Sequence, residues 1–209
     1  MAFTDADLID GHTASFTGAV GNPNLGTFAL DASVSEAPGA ADGSVGWSYT
    51  LDNAAAQKLA VGETATEKFV VSVSDGHGGT VQQTVTVTIA GTNDAPSITS
   101  GAQAGTVTED ADLTPSATDA LSATGTVAFT DVDLIDGHTA SFAADISNTT
   151  HFGSFAIDAS VTEAAGAADG SVGWSYTLDN AAAQKLAVGE TATEKFVVTV
   201  AGSTPAATC

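Results

Sequence analysis

The sequence is poor in positive charge. It contains 4 lysines and no arginine against 25 aspartates and glutamates, which gives a net charge of −21 over 209 residues. Nucleic acids and anionic membrane surfaces attract proteins through lysine and arginine, so both would repel a chain of this charge. We therefore expect no nucleic-acid partner.

Long hydrophobic runs are also missing. No run approaches the ~18 to 20 apolar residues that a bilayer-spanning helix needs, and the first residues lack the charged-then-apolar layout of a secretory signal. We therefore expect no membrane insertion. Hydrophobic residues still make up 43% of the chain and charged residues only 14%. This composition favours a packed core over a disordered acidic segment.

Cysteine occurs once, as the last residue, Cys209. A single cysteine cannot form an internal disulfide, so disulfides do not stabilise this chain. Small residues precede it, and two interpretations stay open: a natural end, or a thiol added for chemical coupling.

The sequence contains an internal repeat. Residues 2–16 recur at 128–142 with one change, and residues 28–73 recur at 155–200 with four changes. Such self-similarity indicates tandem copies of one structural unit. A turn-rich linker follows residue 89, so we place two domains at 1–92 and 93–209.

Alternating hydrophobicity predicts strands within each copy. In residues 43–52 and again in 170–179, apolar side chains occupy every second position, and residues 84–89 alternate valine or isoleucine with threonine. A further strand is predicted at 103–108. Trp47 and Trp174 lie on the apolar faces of their strands, which predicts that both are buried in the core.

Short helices are predicted after Asp52 and Asp179, which can cap the alanine-rich segments that follow. Many short strands with one helical turn in each copy predict an all-β fold. We expect two tandem β-sandwich domains of the immunoglobulin or cadherin type.

Five motifs follow one another in a recognisable order. They are TDxD (residues 4–7 and 130–133), GxFxxD (26–31 and 153–158), GWSYTLDN (46–53), VSDGHGGT (73–80) and VTVTIAGTNDAP (85–96). This order resembles the VCBS repeat family, the cadherin-like and immunoglobulin-like modules of large bacterial surface adhesins. The resemblance implies a calcium-binding stalk repeat at the bacterial cell surface or outside the cell, with neighbouring copies of the repeat as partners.

Each copy is incomplete when compared with that family. The first domain lacks the opening strand of a full repeat, and the second lacks the closing strand. Three explanations stay open: strands are added between chains, the sequence is cut across repeats, or the loss is tolerated. Strand addition would produce a homopolymer, so an alternative function is a filament subunit that polymerises by strand donation.

Carboxylates in turns are the candidate metal ligands. The first copy has DADLIDG and the second DVDLIDG, which place Asp5, Asp7, Asp10, Asp131, Asp133 and Asp136 near strand ends. Calcium binds about six to eight oxygen atoms, so aspartates at alternate turn positions suit it. Alternatively, these side chains accept hydrogen bonds from their own backbone, as turn aspartates often do.

The resemblance also implies a calcium site at the junction between domains. Its expected ligands are Asn93, Asp94, Glu109, Asp110, Asp131 and Asp133. No nucleophile with a neighbouring base stands out, and no phosphate-binding glycine loop is present. We therefore expect a protein that is not an enzyme.

Overall fold

The computed structural model describes residues 1–116 and 118–203. These residues form fifteen strands and two four-residue helices, which confirms the prediction of an all-β fold. Neither helix in this part of the chain has the length or hydrophobicity to cross a membrane.

The chain divides into two compact units, Met1–Thr92 and Asn93–Cys209. Residue 117 and residues 204–209 of the second unit lie outside the described part of the chain. Cys209 is among them, so neither interpretation of the terminal thiol is decided.

Unit 1 contains eight strands and helix α1 (Asn53–Ala56). The strands are β1 (Ala2–Thr4), β2 (Thr13–Gly18), β3 (Gly26–Leu30), β4 (Ser35–Glu36), β5 (Asp42–Ser44), β6 (Trp47–Leu51), β7 (Thr64–Ser74) and β8 (Thr80–Ala90). They pair antiparallel in the orders β1-β5-β4, β2-β7-β8 and β3-β6.

The core of unit 1 is built by the alternating residues of these strands. Phe69, Val71 and Val73 of β7 are buried, and they pack with Phe28 and Val45 in one cluster. The ring of Phe28 stacks on Phe69 at 4.3 Å between centroids. The register pairs Phe69 with Val85 and Val73 with Val81, so apolar side chains of β7 and β8 lie on the same face.

Unit 2 contains seven strands and helix α2 (Asn180–Ala183). The strands are β9 (Ser97–Ile98), β10 (Ser122–Thr130), β11 (Gly137–Ala144), β12 (Gly153–Ile157), β13 (Thr162–Glu163), β14 (Asp169–Leu178) and β15 (Phe196–Ser203). One sheet has the order β12-β14-β10-β9 with β13 also on β14, and a second sheet pairs β11 with β15.

Both helices begin where the sequence predicts, since Asp52 accepts hydrogen bonds from the amides of Ala54 and Ala55 and Asp179 accepts one from Ala182. The strand predicted at 103–108 is wrong. That segment forms no strand and pairs with none, and it lies against Trp174, whose indole N–H donates to Gln103 Oε1 at 3.4 Å.

The prediction that both tryptophans are buried holds for one of them. Trp174 is 8% exposed, but Trp47 is 44% exposed, so its prediction as a core residue is wrong. Gln103, Gly105 and Gly125 lie against Trp174. They belong to a part of the sequence, residues 97–126, that has no counterpart in unit 1, where β1 corresponds to only the last three residues of β10.

Candidate metal centre

The turn DVDLIDG connects β10 to β11 and holds three aspartates. Asp131 Oδ1 accepts the backbone N–H of Asp133 at 3.0 Å, and the amide of Asp136 donates to the carbonyl of Asp133 at 3.1 Å. The amide of Asp131 itself donates to Ala168 at 2.7 Å. The local sequence therefore folds as an aspartate-stabilised turn, and its own backbone occupies only some of the carboxylate oxygens.

Asp133 is the most unusual carboxylate of this turn. It is 1% exposed, and its Oδ2 accepts the backbone N–H of Asp94 at 2.6 Å. Its Oδ1 is buried and has no hydrogen-bond partner in the described part of the chain. A buried carboxylate oxygen without a partner is costly, so the position favours a cation beside it.

Two further carboxylates of the turn converge near β15. A Cβ atom added at Gly202 would lie 3.3 Å from Asp131 Oδ2 and 3.4 Å from Asp136 Oδ2. Asp131 is buried as completely as Asp133. The turn therefore gathers carboxylate oxygens at one end of unit 2.

One histidine lies against this cluster. His138 Nε2 is 3.1 Å from Asp131 Oδ2, and His138 Nδ1 is 2.6 Å from Glu163 Oε2. Burial alone lowers the pKa of His138, but the hydrogen bonds and charges of Asp131 and Glu163 outweigh it, so the pKa is raised overall. A protonated His138 offsets part of the negative charge here.

Unit 1 repeats the arrangement with a different third acid. Asp5, Asp10 and Asp75 each place one oxygen within 4.8 Å of the others. Asp75 follows β7 and accepts the amides of His77 and Gly79 at 2.7 and 2.9 Å. Asp75 lies outside the two turn motifs that predict ligands, and its place directly after a strand is the sequence signal that points to it.

The histidine is repeated as well. His12 lies 3.0 Å from Asp5 Oδ2 and 2.7 Å from Glu36 Oε2. The hydrogen bond that His12 donates to Asp5 is the main cause of the raised pKa of His12, with Glu36 adding to it. The pKa of Asp5 is lowered, first by the amide of Asp7 and then by His12.

The two turns differ at two equivalent positions. Asp7 is exposed, whereas Asp133 is buried. Asp75, the residue that follows β7 in unit 1, corresponds to Gly202 of unit 2. Unit 2 therefore has no carboxylate at this position. The acidic turn motif therefore presents a different set of carboxylate oxygens in each unit.

The structure does not bring all six expected junction ligands together. Glu109 accepts a hydrogen bond from Gln184, and the amide of Asp110 donates to Asn180 Oδ1 at 2.8 Å. These partners lie beside α2, near the start of β10, whereas Asp131 follows its end. A nine-residue strand spans about 30 Å, so Glu109 and Asp110 are distant from the acidic turn.

Of the two expected linker ligands, Asp94 contacts the acidic turn, whereas the described contact of Asn93 is with Asp94. Asp94 reaches the acidic turn through its amide, which donates to Asp133. Asn93 is exposed, and its side-chain amide donates to the carbonyl of Asp94 at 2.5 Å. Of the six expected ligands, Asp94, Asp131 and Asp133 lie together in the described contacts. Asp136, which was not among the six, also lies near Asp131.

The chemistry of this group suits a hard cation. Its available donors are carboxylate oxygens, which calcium prefers, and both nitrogens of the neighbouring His138 are taken by carboxylates. The residues present therefore fit calcium better than a metal that needs nitrogen or sulfur ligands.

Comparison with known proteins gives no relative. No family model, no curated protein and no solved structure matches this chain. The resemblance to VCBS repeats therefore depends on the sequence motifs alone.

Proposed function

We propose that this chain is a pair of structural repeats of an extracellular bacterial adhesion protein, stiffened by calcium bound to its acidic turns. Each unit would be an immunoglobulin-like or cadherin-like sandwich of the VCBS type. The order of the motifs and the near-identity of the two copies support this proposal. In such an array the repeats act as a stalk and carry out no catalysis.

Asp133 is the observation that carries the calcium proposal. An ionised carboxylate buried in a protein is normally paired with a cation or fully hydrogen-bonded. Asp133 is buried, and one of its oxygens has no hydrogen-bond partner in the described residues. A calcium ion at this oxygen would supply the missing interaction.

The surrounding charge supports the same conclusion. His138 contacts the carboxylates of Asp131 and Glu163, and Asp133 and Asp136 belong to the same turn as Asp131. Even with His138 protonated, the group keeps an excess of negative charge. The chain contains only 4 lysines to offset such clusters, so a divalent cation is the effective counter-charge.

Calcium would stiffen unit 2 by joining separate segments of its chain. Asp131 and Asp133 follow β10, Asp136 precedes β11, and Asp94 precedes β9. A ligand that binds only the folded state stabilises it by about 1 to 3 kcal/mol at ~10 to 100-fold excess over its Kd. In a protein without internal disulfides, this contribution replaces a covalent cross-link.

The test is a calcium titration of the intact chain by calorimetry, with melting curves in calcium and in EGTA. Wild type should bind calcium and melt at a higher temperature in its presence. Asp133→Asn should lose most of the response of unit 2. Asp7→Asn is the matched control, because Asp7 occupies the equivalent but exposed position. Equal melting temperatures of wild type in calcium and EGTA would refute the proposal.

A further inference from the structure

The loop that precedes β10 is fastened to helix α2 by two side chains. Asn180, the first residue of α2, accepts the amide of Asp110 on its Oδ1 at 2.8 Å and donates to the carbonyl of Asp112 at 2.9 Å. Gln184, which ends the helix, donates to the carbonyl of Asp110 at 2.7 Å and to the carboxylate of Glu109. The loop is therefore folded against α2.

One nitrogen of this contact has more oxygen neighbours than protons. The side-chain nitrogen of Gln184 carries two protons, yet four oxygens lie within 3.5 Å of it. They are Glu109 Oε2, the carbonyl oxygens of Asp110 and Asp112, and Asn180 Oδ1. We call these four oxygens the Gln184 oxygen cluster. Several oxygens of different chemical types that converge on one point are typical of a site for a hard cation.

The carboxylate of Asp110 is buried at this place with little to compensate its charge. Asp110 is 2% exposed, and its Oδ1 accepts the amide of Ser116 at 2.9 Å. In the described part of the chain no group donates to its Oδ2. Burial of an ionised carboxylate is costly without a cation or a full set of hydrogen bonds. Asp110 therefore indicates, independently of the oxygen cluster, that a positive charge is needed here.

The described residues do not supply that charge. Glu109, Asp110 and Asp112 place three carboxylates within four residues of sequence. Lys185, the lysine next to α2, lies over the ring of Phe152 at 5.5 Å from its centroid. Among the described residues no ion pair joins a lysine to these carboxylates. The counter-charge must therefore come from solution.

We propose that this loop and α2 form a second calcium site in unit 2, separate from the acidic turn. Its ligands come from Glu109, Asp110, Asp112, Asn180 and Gln184. They combine carboxylate, main-chain carbonyl and side-chain amide oxygens, a mixture that calcium accepts, whereas magnesium demands a tighter and near-octahedral set. The carboxamide of Gln184 has an oxygen beside its nitrogen, so the side chain that donates in the calcium-free state turns to become a ligand.

The site would tie together parts of the chain that are far apart in sequence. Glu109 and Gln184 are separated by 75 residues. Calcium would therefore hold the loop before β10 onto the helix that follows β14. The inference does not rest on calcium binding at Asp133, because none of its ligands belongs to the acidic turn.

Hydrogen exchange of the full-length chain, followed by mass spectrometry, tests the site in an Asp133→Asn background. The loop is held by few contacts, so its opening is local and exchange detects it better than melting does. At a calcium concentration about ten times the Kd, exchange at residues 109–116 should slow about ten-fold relative to EGTA, because the loop opens only after the ion leaves. Failure of the calcium proposal at Asp133 would leave this result unchanged.

Glu109→Gln separates charge from hydrogen bonding. Its amide oxygen still accepts from Gln184, so exchange at residues 109–116 in EGTA should match wild type. Slowing of that exchange should require about ten-fold more calcium or be lost, because the charge of the ligands sets calcium affinity. An unchanged calcium response in Glu109→Gln would overturn the inference.

Gln184→Glu distinguishes a calcium ligand from a structural donor. In EGTA the new carboxylate lies beside Glu109, so residues 109–116 should lose protection. Calcium should restore the protection, with a lower Kd than wild type. Gln57→Glu is the matched control, because Gln57 corresponds to Gln184 and the described part of unit 1 has no counterpart of this loop. The control should leave exchange at residues 109–116 as in wild type.

Two further outcomes would overturn the inference. If calcium slows exchange at residues 109–116 in wild type but not in Asp133→Asn, the acidic turn is the source of the effect. If Gln184→Glu loses protection and calcium does not restore it, Gln184 acts only as a hydrogen-bond donor. Absence of any calcium effect on residues 109–116 in both wild type and Asp133→Asn would equally exclude the site.

Discussion

Trp47 and Trp174 occupy equivalent positions in segments of identical sequence, residues 39–71 and 166–198, yet Trp47 is 44% exposed and Trp174 8%. Each indole stacks on its neighbouring phenylalanine at an interplanar angle of 18°. In the described part of the chain, Trp174 is also covered by the segment that contains Gln103 and Gly105. Its indole donates to Gln103, and a Cβ added at Gly105 would lie 3.1 Å from its ring. The difference in exposure therefore comes from residues outside the repeat.

This difference predicts two distinct tryptophan environments. Trp174→Phe leaves Trp47, whose emission should be red-shifted and strongly quenched by acrylamide. Trp47→Phe leaves Trp174, which should emit at shorter wavelength with little quenching. Equal quenching of the two single-tryptophan variants would contradict the structure.

The same difference predicts unequal costs of truncation. Trp174→Ala should destabilise unit 2 by about 3 to 5 kcal/mol, because it empties a packed site. Trp47→Ala should cost unit 1 much less, about 1 kcal/mol, since much of the side chain is already in water. Denaturant unfolding of each variant against wild type measures both values.

Asp133→Asn should change stability in opposite directions with and without calcium. In EGTA the amide keeps an acceptor for the amide of Asp94 and removes a buried charge beside Asp131, so stability should rise by about 1 kcal/mol. In calcium the variant loses a ligand and should be less stable than wild type. Melting curves under both conditions check this, and a uniform loss would point to a purely structural role.

His138 predicts a pH-dependent stability of unit 2 in EGTA. Its pKa is raised in the folded state, so folding favours the protonated form. The contribution is fully present below the unfolded pKa of about 6.5 and is lost as pH rises through the raised folded value. His138→Gln should flatten this dependence, whereas His151→Gln, at an exposed position, should leave it unchanged. Chemical denaturation between pH 5.5 and 8.5 provides the measurement.

The hydrogen bond between half-buried Tyr49 and buried Glu67 predicts a further asymmetry between the units. Glu67 accepts the hydroxyl of Tyr49 at 3.1 Å and the amide of Leu25 at 2.5 Å. Burial, followed by Glu67, raises the pKa of Tyr49 to about 12. Tyr49→Phe leaves a carboxylate oxygen without its donor and should cost about 1 to 3 kcal/mol.

Tyr176→Phe is the matched comparison. Tyr176 donates to Glu194 at 2.9 Å, but Glu194 is only half-buried, so water can replace the lost hydroxyl. The variant should cost less than Tyr49→Phe in denaturant unfolding. A larger cost than that of Tyr49→Phe would contradict this difference in burial between Glu67 and Glu194.

Several features of the fold could be predicted from local sequence. The alternation in residues 84–89 predicts β8, and Asp52 and Asp179 predict the helix starts, because each signal acts over a few neighbouring residues. The acidic turns could also be located, since their aspartates bond within the turn itself.

The grouping of the candidate metal ligands could not be predicted in the same way. Asp75 joins Asp5 and Asp10 across 70 and 65 residues of sequence, and Glu109 and Asp110 turn toward α2 and away from Asp131. Which carboxylates converge depends on strand pairing, and a long strand separates residues that the sequence places close together.

The sequence by itself determined the all-β class, the two copies and the absence of internal disulfides, because composition, periodicity and repetition are properties of the chain alone. Only the tertiary structure decided that identical segments differ: the sequence TATEK lies in a strand at residues 64–68 but not at 191–195, and Trp47 is exposed where Trp174 is buried. Strand formation and burial require a neighbour to accept hydrogen bonds and exclude water, and the neighbours of the two copies are different.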